Sequence, residues 1–137
     1  MKKAIFLIVS LAIMIQLAGC GSQNQFTNSL TFGTGIGGNG FSLVGESTSF
    51  SLKALAGNPI YFRLESEADV DGRFLRLYFN DIYNKDYTLP QSYGHITLSS
   101  FPITNTGTYV IKAYYVKTVI DIGQETWITT STITVTQ

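Results

Sequence analysis

Residues 105–113 read NTGTYVIKA, and this stretch carries the clearest fold signal in the chain. The Asn-Thr-Gly tripeptide is typical of a turn, and it leads directly into aromatic and β-branched residues around Tyr109. Such a run after a turn predicts a β-strand. A second turn near residues 121–124 is followed by a further Thr-rich run, which predicts a final strand that includes Trp127, Thr129, Ser131, Ile133 and Val135.

Upstream of this stretch, apolar and polar residues alternate with the period of two that is typical of half-buried strands. Three strand faces are predicted in this way, and they consist of Phe50, Leu52 and Ala54, then Ile60, Phe62 and Leu64, then Leu75, Leu77 and Phe79. Residues 81–94 are rich in Asn, Asp, Pro and Gly and are predicted to form the longest loop. No segment has the pattern of an amphipathic helix, so the sequence predicts an all-β fold.

The stretch 105–113 also resembles the corner and strand F of immunoglobulin-like domains, in which an Asp-x-Gly-x-Tyr pattern forms a tyrosine corner. The resemblance implies that the ring of Tyr109 enters the core while its hydroxyl bonds to an upstream backbone group. Asn105 stands where that family usually has Asp, and Ile111 stands where antibody domains have Cys, so no inter-sheet disulfide can form. The expected architecture is a Greek-key immunoglobulin-like β-sandwich of seven or eight strands over residues 30–137.

The N-terminal segment has the features of an export signal. Lys2 and Lys3 precede an almost unbroken apolar run over residues 4–15. A run of this length is shorter than the roughly 20 residues that a membrane-spanning helix needs, but it suits the apolar region of a signal peptide.

Residues 17–20 read LAGC, which closely resembles the bacterial lipobox. The resemblance implies that a signal peptide of residues 1–19 is removed after Gly19, and that Cys20 receives a diacylglycerol as the first residue of the mature chain. Residues 20–29 would then form a lipidated tether, and two or three acyl chains would anchor the protein firmly. Cys20 is the single cysteine, so lipidation would also cap an otherwise free thiol.

The expected location is therefore the bacterial cell envelope, with the membrane reached through the lipid anchor. If the organism has two membranes, Gly21 in place of Asp after the cysteine implies, by resemblance to sorting patterns, export to the outer membrane. The chain has nine basic and nine acidic residues, without a basic stripe, so a nucleic-acid partner is not expected.

Catalytic and metal sites are not expected from this sequence. His95 is the single histidine, and no nucleophile-elbow motif accompanies it. Glu65, Glu67, Asp69 and Asp71 alternate along a turn, but they lack the spacing of a calcium loop. The cluster is expected to be a solvated acidic turn, and salt bridges with Glu65, Glu67 or Asp69 are the expected role of the nearby Arg63, Arg73 and Arg76. We expect no cofactor and no metal.

Four tyrosines are the candidate ligand-contacting residues, and they are Tyr78, Tyr83, Tyr87 and Tyr93. Rings interleaved with Asn, Asp and Lys form surfaces that bind sugars or protein loops, although some of these rings could instead cover the core. The favoured function is a non-enzymatic binding or structural module with an envelope protein or a glycan as its partner. The alternatives are a carbohydrate-binding module, an assembly accessory that pairs through an edge strand near residues 31–44 or through the last strand, and an enzyme that uses His95.

Overall fold

The computed structural model describes residues 26–68, 73–88, 94–117 and 124–137. These residues form strands and one short helix, α1 (Leu52–Leu55). The strands are β1 (Ser29–Gly33), β2 (Gly35–Ile36), β3 (Leu43–Val44), β4 (Ser49–Ser51), β5 (Ile60–Glu65), β6 (Phe74–Phe79), β7 (Ile82–Thr88), β8 (Ile96–Phe101), β9 (Gly107–Val116) and β10 (Thr126–Thr136). Gly19, Cys20, Tyr93 and the acidic residues Asp69 and Asp71 lie outside the described residues.

The strands form two main sheets and a small hairpin. A five-stranded sheet has the order β4-β10-β9-β6-β7, and a three-stranded sheet has the order β1-β5-β8. All neighbouring strands are antiparallel except β4 and β10, which are parallel. The hairpin consists of β2 and β3. The all-β prediction is therefore confirmed. The described part of the chain contains ten strands instead of the expected seven or eight, and three of the ten, β2, β3 and β4, have only two or three residues each.

One hydrophobic core lies between the buried faces of the two sheets. Every second residue of β5 points into it, and Ile60, Phe62 and Leu64 are all 0% exposed, as the alternation predicts. Aromatic rings connect the sheets: the centroids of Phe62 and Tyr87 are 5.3 Å apart in an edge-to-face arrangement. Phe79 and Phe101 make a similar contact at 4.8 Å. Rings of this size contribute much of the area that the fold buries.

The predicted strand face of Phe50, Leu52 and Ala54 is wrong. β4 ends at Ser51, whose hydroxyl accepts a hydrogen bond from the Ala54 N–H and so begins the helical turn α1. Ala56 ends that turn in the left-handed conformation, with a φ of 50°. The turn buries Leu55 and leaves Ala54 exposed, because the side chains of a helix do not alternate with period two.

The prediction of a loop over residues 81–94 is also wrong, because β7 occupies Ile82–Thr88. Asn80 and Asp81 join β6 to β7 with φ values of 51° and 65°, which is the geometry of a tight two-residue hairpin turn. Asn80 also holds β9, since its side-chain oxygen accepts a hydrogen bond from the Val110 N–H at 2.8 Å. The Asn-Asp pair was therefore a turn signal between two strands and not the start of a long loop.

Candidate binding face

The solvent-facing side of the five-stranded sheet carries the most chemically distinctive surface of the described residues. Leu75 and Leu77 of β6 point into the core, so Arg76 and Tyr78 between and beyond them point outward. The register places Asp86 and Tyr114 beside Arg76, and Tyr83 beside Tyr78. Trp127 of β10 lies opposite Tyr114. We call this surface the outer aromatic face, and define it by Tyr78, Tyr83, Tyr114, Trp127, Arg76, Asp86 and Glu125.

The ring of Tyr78 on β6 contacts two other rings of the outer aromatic face, one on each neighbouring strand. The ring of Tyr78 packs edge-to-face against Tyr83 at 6.2 Å and against Tyr114 at 5.4 Å. Tyr83 is 54% exposed, so a large part of its ring is open to solvent. Edge-to-face contacts of this kind fix ring orientation. The face therefore presents aromatic surface in a defined orientation.

Trp127 adds a second open ring on β10. It is 59% exposed, and its indole N–H donates to the Thr130 hydroxyl at 3.2 Å. A bulge between Trp127 and Thr129 turns Ile128 into the core and Trp127 toward solvent. The hydrogen bond holds the edge of the indole, while more than half of the residue remains exposed to solvent.

A buried cluster of charged side chains lies beside these rings on the same face of the sheet. Arg76 is 3% exposed, and its guanidinium binds both carboxylate oxygens of Asp86, with Nε–Oδ1 at 2.7 Å and Nη2–Oδ2 at 2.8 Å. Nη1 of Arg76 donates to Glu125 at 2.6 Å. The Asp86 hydrogen bond raises the pKa of Arg76 above its ordinary value, and the Glu125 bond adds to this rise despite the opposing effect of burial. The cation is therefore permanent, and the two-pronged geometry fixes its position.

Tyr78 joins this cluster through its hydroxyl, which donates to Oε1 of Glu125 at 2.5 Å. This hydrogen bond, with burial, raises the pKa of Tyr78, so the hydroxyl stays protonated and continues to donate at neutral pH. The guanidinium of Arg76 also lies 5.5 Å from the ring centroid of Tyr83, within the range of a cation–π contact. The aromatic and ionic parts of the face thus form one connected unit.

The four tyrosines that the sequence predicts as ligand-contacting residues do not lie together in the structure. Tyr78 and Tyr83 come together on the outer aromatic face. Tyr87 does not, because it is 6% exposed and packs in the core against Phe62. Burial raises the pKa of Tyr87 to about 12, and its hydroxyl has no hydrogen-bond partner among the described atoms. Tyr93 lies outside the described residues.

Several members of the face were not identified from the sequence. Arg76 was expected to pair with the acidic turn, but its partners are Asp86 on β7 and Glu125 beside β10. Asp86 was not identified as a partner of Arg76 because its segment was predicted to be a loop, and a loop has no strand register that would place the two residues side by side. Of the expected salt bridges, Arg63 and Glu65 do form one, at 2.8 Å.

The predicted corner residue lies at the opposite end of β9. The Tyr109 hydroxyl donates to the backbone oxygen of Asn105 at 2.9 Å, four residues upstream. Its ring packs edge-to-face against Phe79 at 6.2 Å, at the border of the core. This hydrogen bond ties the turn before β9 to the strand itself.

His95 is engaged in structural contacts. Its ring stacks on Phe26 at 4.4 Å with an interplanar angle of 7°, and Nδ1 lies 2.9 Å from the backbone oxygen of Ser66. Within the described ranges, no three His, Cys, Asp or Glu side chains are grouped as a metal site would require. No helix in those ranges is long and apolar enough to cross a membrane.

In comparisons with known proteins, no family model, curated protein or solved structure matches the chain.

Proposed function

We propose that this chain is a lipid-anchored, non-enzymatic binding module of the bacterial cell envelope, and that the outer aromatic face is its binding surface. The observation that carries the binding role is the pair of open rings, Tyr83 and Trp127, on one side of a rigid sheet. Exposed aromatic rings at fixed positions are typical anchors of binding surfaces. The anchor itself rests on the LAGC sequence at residues 17–20.

We also propose a finer fold assignment, an immunoglobulin-like Greek-key sandwich. The placement of two early strands supports it. β1 belongs to the three-stranded sheet, whereas β4 belongs to the five-stranded sheet, where it pairs in parallel with β10. The hydrogen bond from Tyr109 to Asn105 has the form of a tyrosine corner. In this assignment, the loops and the outer aromatic face are carried on a stable scaffold that catalyses no reaction.

The anchor is tested by replacing Cys20. In wild-type cells we expect the intact mass of the membrane-bound protein to correspond to residues 20–137 plus a diacylglyceryl group, with or without a further acyl chain on the amino group of Cys20. We expect Cys20→Ala to lack these groups and the cleavage, because the alanine side chain has no thiol to accept the diacylglycerol. Ser22→Ala is a matched control that leaves residues 17–20 intact and should be processed like the wild type. An unmodified, soluble wild-type protein would overturn the anchor.

A glycan is the ligand class that the exposed rings favour most. The flat faces of Tyr83 and Trp127 can stack on the C–H faces of sugar rings, while nearby polar groups, such as the hydroxyl of Tyr83, can bond to sugar hydroxyls. The two rings are separated by three strand spacings, or about 14 Å, across the sheet. A span of this size fits an extended oligosaccharide better than a single sugar.

The glycan proposal is tested by the fluorescence of Trp127, which is the single tryptophan of the chain. With soluble cell-wall glycan fragments as the probe, we expect a saturable spectral change. Tyr83→Ala should weaken binding by about fivefold or more, because an aromatic anchor of a binding surface contributes about 1 kcal/mol or more. Tyr61→Ala on the three-stranded sheet is the control and should leave binding unchanged. If no fragment changes the spectrum, a protein partner becomes the better hypothesis for this face.

A further inference from the structure

The outer aromatic face carries more negative than positive charge. Its cation is Arg76, and both Asp86 and Glu125 bind that cation. The nearby Lys112 does not change the balance, because its ammonium pairs with Asp81 at 2.6 Å. One positive and two negative side chains leave the face with a net charge of −1. Such a face is complementary to a ligand that brings positive charge.

The unbalanced charge lies on Glu125. Asp86 is fully engaged, since each of its two carboxylate oxygens accepts a hydrogen bond from Arg76. On Glu125, by contrast, both donors bind the same oxygen, Oε1. These donors are Nη1 of Arg76 at 2.6 Å and the hydroxyl of Tyr78 at 2.5 Å. The second oxygen, Oε2, accepts no hydrogen bond from a described residue, so it remains available to a ligand.

Oε2 of Glu125 is also within reach of solvent. The side chain of Glu125 is 16% exposed, whereas that of Arg76 is 4% exposed. Among the described residues, the enclosed side-chain atoms without a hydrogen-bond partner include the hydroxyls of Tyr87 and Thr97, and Oε2 is not one of them. A carboxylate oxygen that is partly shielded from water but still reachable forms a strong hydrogen bond to a cationic donor.

The carboxylate of Glu125 lies between the two open rings of the face. Trp127 follows two residues later on β10, opposite Tyr114 of β9. The carboxylate contacts Tyr78 on β6, two strands away from β10, and β6 pairs with the strand that carries Tyr83. A ligand that stacks on both Tyr83 and Trp127 therefore passes close to Oε2.

We propose that the outer aromatic face selects glycans with free amino groups, such as chains that contain glucosamine in place of N-acetylglucosamine. This inference rests on the proposed glycan-binding function and names the class of sugar. A protonated sugar amine donates to Oε2 of Glu125, and its charge is also attracted to the faces of nearby aromatic rings. An N-acetyl group is neutral, so it forms only a weaker hydrogen bond there. Sugars with carboxylates are repelled by the net charge of the face.

Two matched probes test the proposal: the hexamer of glucosamine and the hexamer of N-acetylglucosamine, which differ only in their acetyl groups. The measurement is the Trp127 fluorescence of the full-length, purified protein, in detergent if it carries lipid, at a mildly acidic pH that protonates the sugar amines. We expect the wild type to bind the glucosamine hexamer at least about tenfold more tightly, as one charge-assisted hydrogen bond provides. Added salt should reduce this preference, because it screens the attraction between charges.

Glu125→Gln removes the charge that the proposal depends on. Glutamine has nearly the same shape, and its side-chain oxygen can still accept hydrogen bonds from Arg76 and Tyr78. We expect the preference for the glucosamine hexamer to fall to about twofold or less. Circular dichroism confirms that the variant is folded. The salt dependence needs only the wild type, so it tests the proposal even if Glu125→Gln does not fold.

Glu46→Gln is the matched control for this variant. Glu46 is exposed on the connection between β3 and β4, away from the outer aromatic face. The control therefore changes the net charge of the protein by the same amount as Glu125→Gln does. It should keep the preference of the wild type, which shows that the preference depends on the position of the charge.

Three results would contradict the proposal. The first is a wild type that binds glycans without preferring the glucosamine hexamer, in which case glycan binding stands and the selectivity for amino groups fails. The second is a folded Glu125→Gln variant that keeps the full preference. The third is equally tight binding of hexalysine, which would identify a basic peptide as the better partner. A wild type that binds neither the hexamers nor the cell-wall fragments would remove the glycan function itself, and this inference with it.

Discussion

Arg76→Met is expected to lower the free energy of unfolding by about 3–5 kcal/mol, the range found when one partner of a buried ion pair is removed. Methionine fills much of the same volume but leaves Asp86 and Glu125 without the cation that both of them bind. Arg76 is only 3% exposed, so water cannot easily replace the lost hydrogen bonds. Urea unfolding, followed by circular dichroism, measures the loss.

Arg63→Met is the matched control for this experiment. Arg63 also forms a salt bridge, with Glu65, but both side chains of that pair are about one-fifth exposed, at 22% and 19%. Pairs of that kind contribute roughly 0–1 kcal/mol, so the control should lose far less stability. If Arg76→Met cost no more than Arg63→Met, the ion cluster would not be the rigid support of the outer aromatic face.

The same cluster shows why the binding face could be predicted only in part. The alternation of β5 and β6 is regular, so the core positions of Phe62 and Leu77 followed directly from the sequence. The outward position of Arg76 followed as well. Its partners did not, because Asp86 is brought beside it by the hairpin turn at Asn80 and Asp81, and that turn was taken for part of a loop.

Bulges and turns account for the other differences. A bulge shifts the side-chain alternation by one residue, so the pattern of β10 alone does not show that Ile128 is buried while Trp127 is exposed. The sequence could not show that Tyr87 is buried while Tyr83 is exposed for a similar reason. Residues four apart in a regular strand share a face, but a bulge in the β6–β7 ladder lies between these two. Alternation fixes which residues share a face only while the ladder stays regular.

Phe62→Ala is expected to destabilise the fold by about 3–5 kcal/mol, which is typical of a large core ring replaced by alanine. Phe62 is 0% exposed and connects three elements, because it packs edge-to-face on Tyr87 at 5.3 Å and stacks with Phe101 at 6.1 Å. Its loss leaves a cavity between the two sheets. Chemical denaturation with urea measures the change, and Phe62→Leu should cost less because it fills part of the space.

Phe41→Ala provides the comparison, because the Phe41 ring is 41% exposed on the connection between β2 and β3. It should cost much less than Phe62→Ala, since less apolar area returns to water and no enclosed cavity forms. Phe62 lies under Tyr87, and Tyr87 shares β7 with Tyr83 and Asp86. We therefore expect a folded Phe62→Ala protein also to bind the glycan fragments more weakly than the wild type does. The reason is that the core holds β7 in place, and β7 carries part of the outer aromatic face. Equal stability losses at the two phenylalanines would contradict a single core between the sheets.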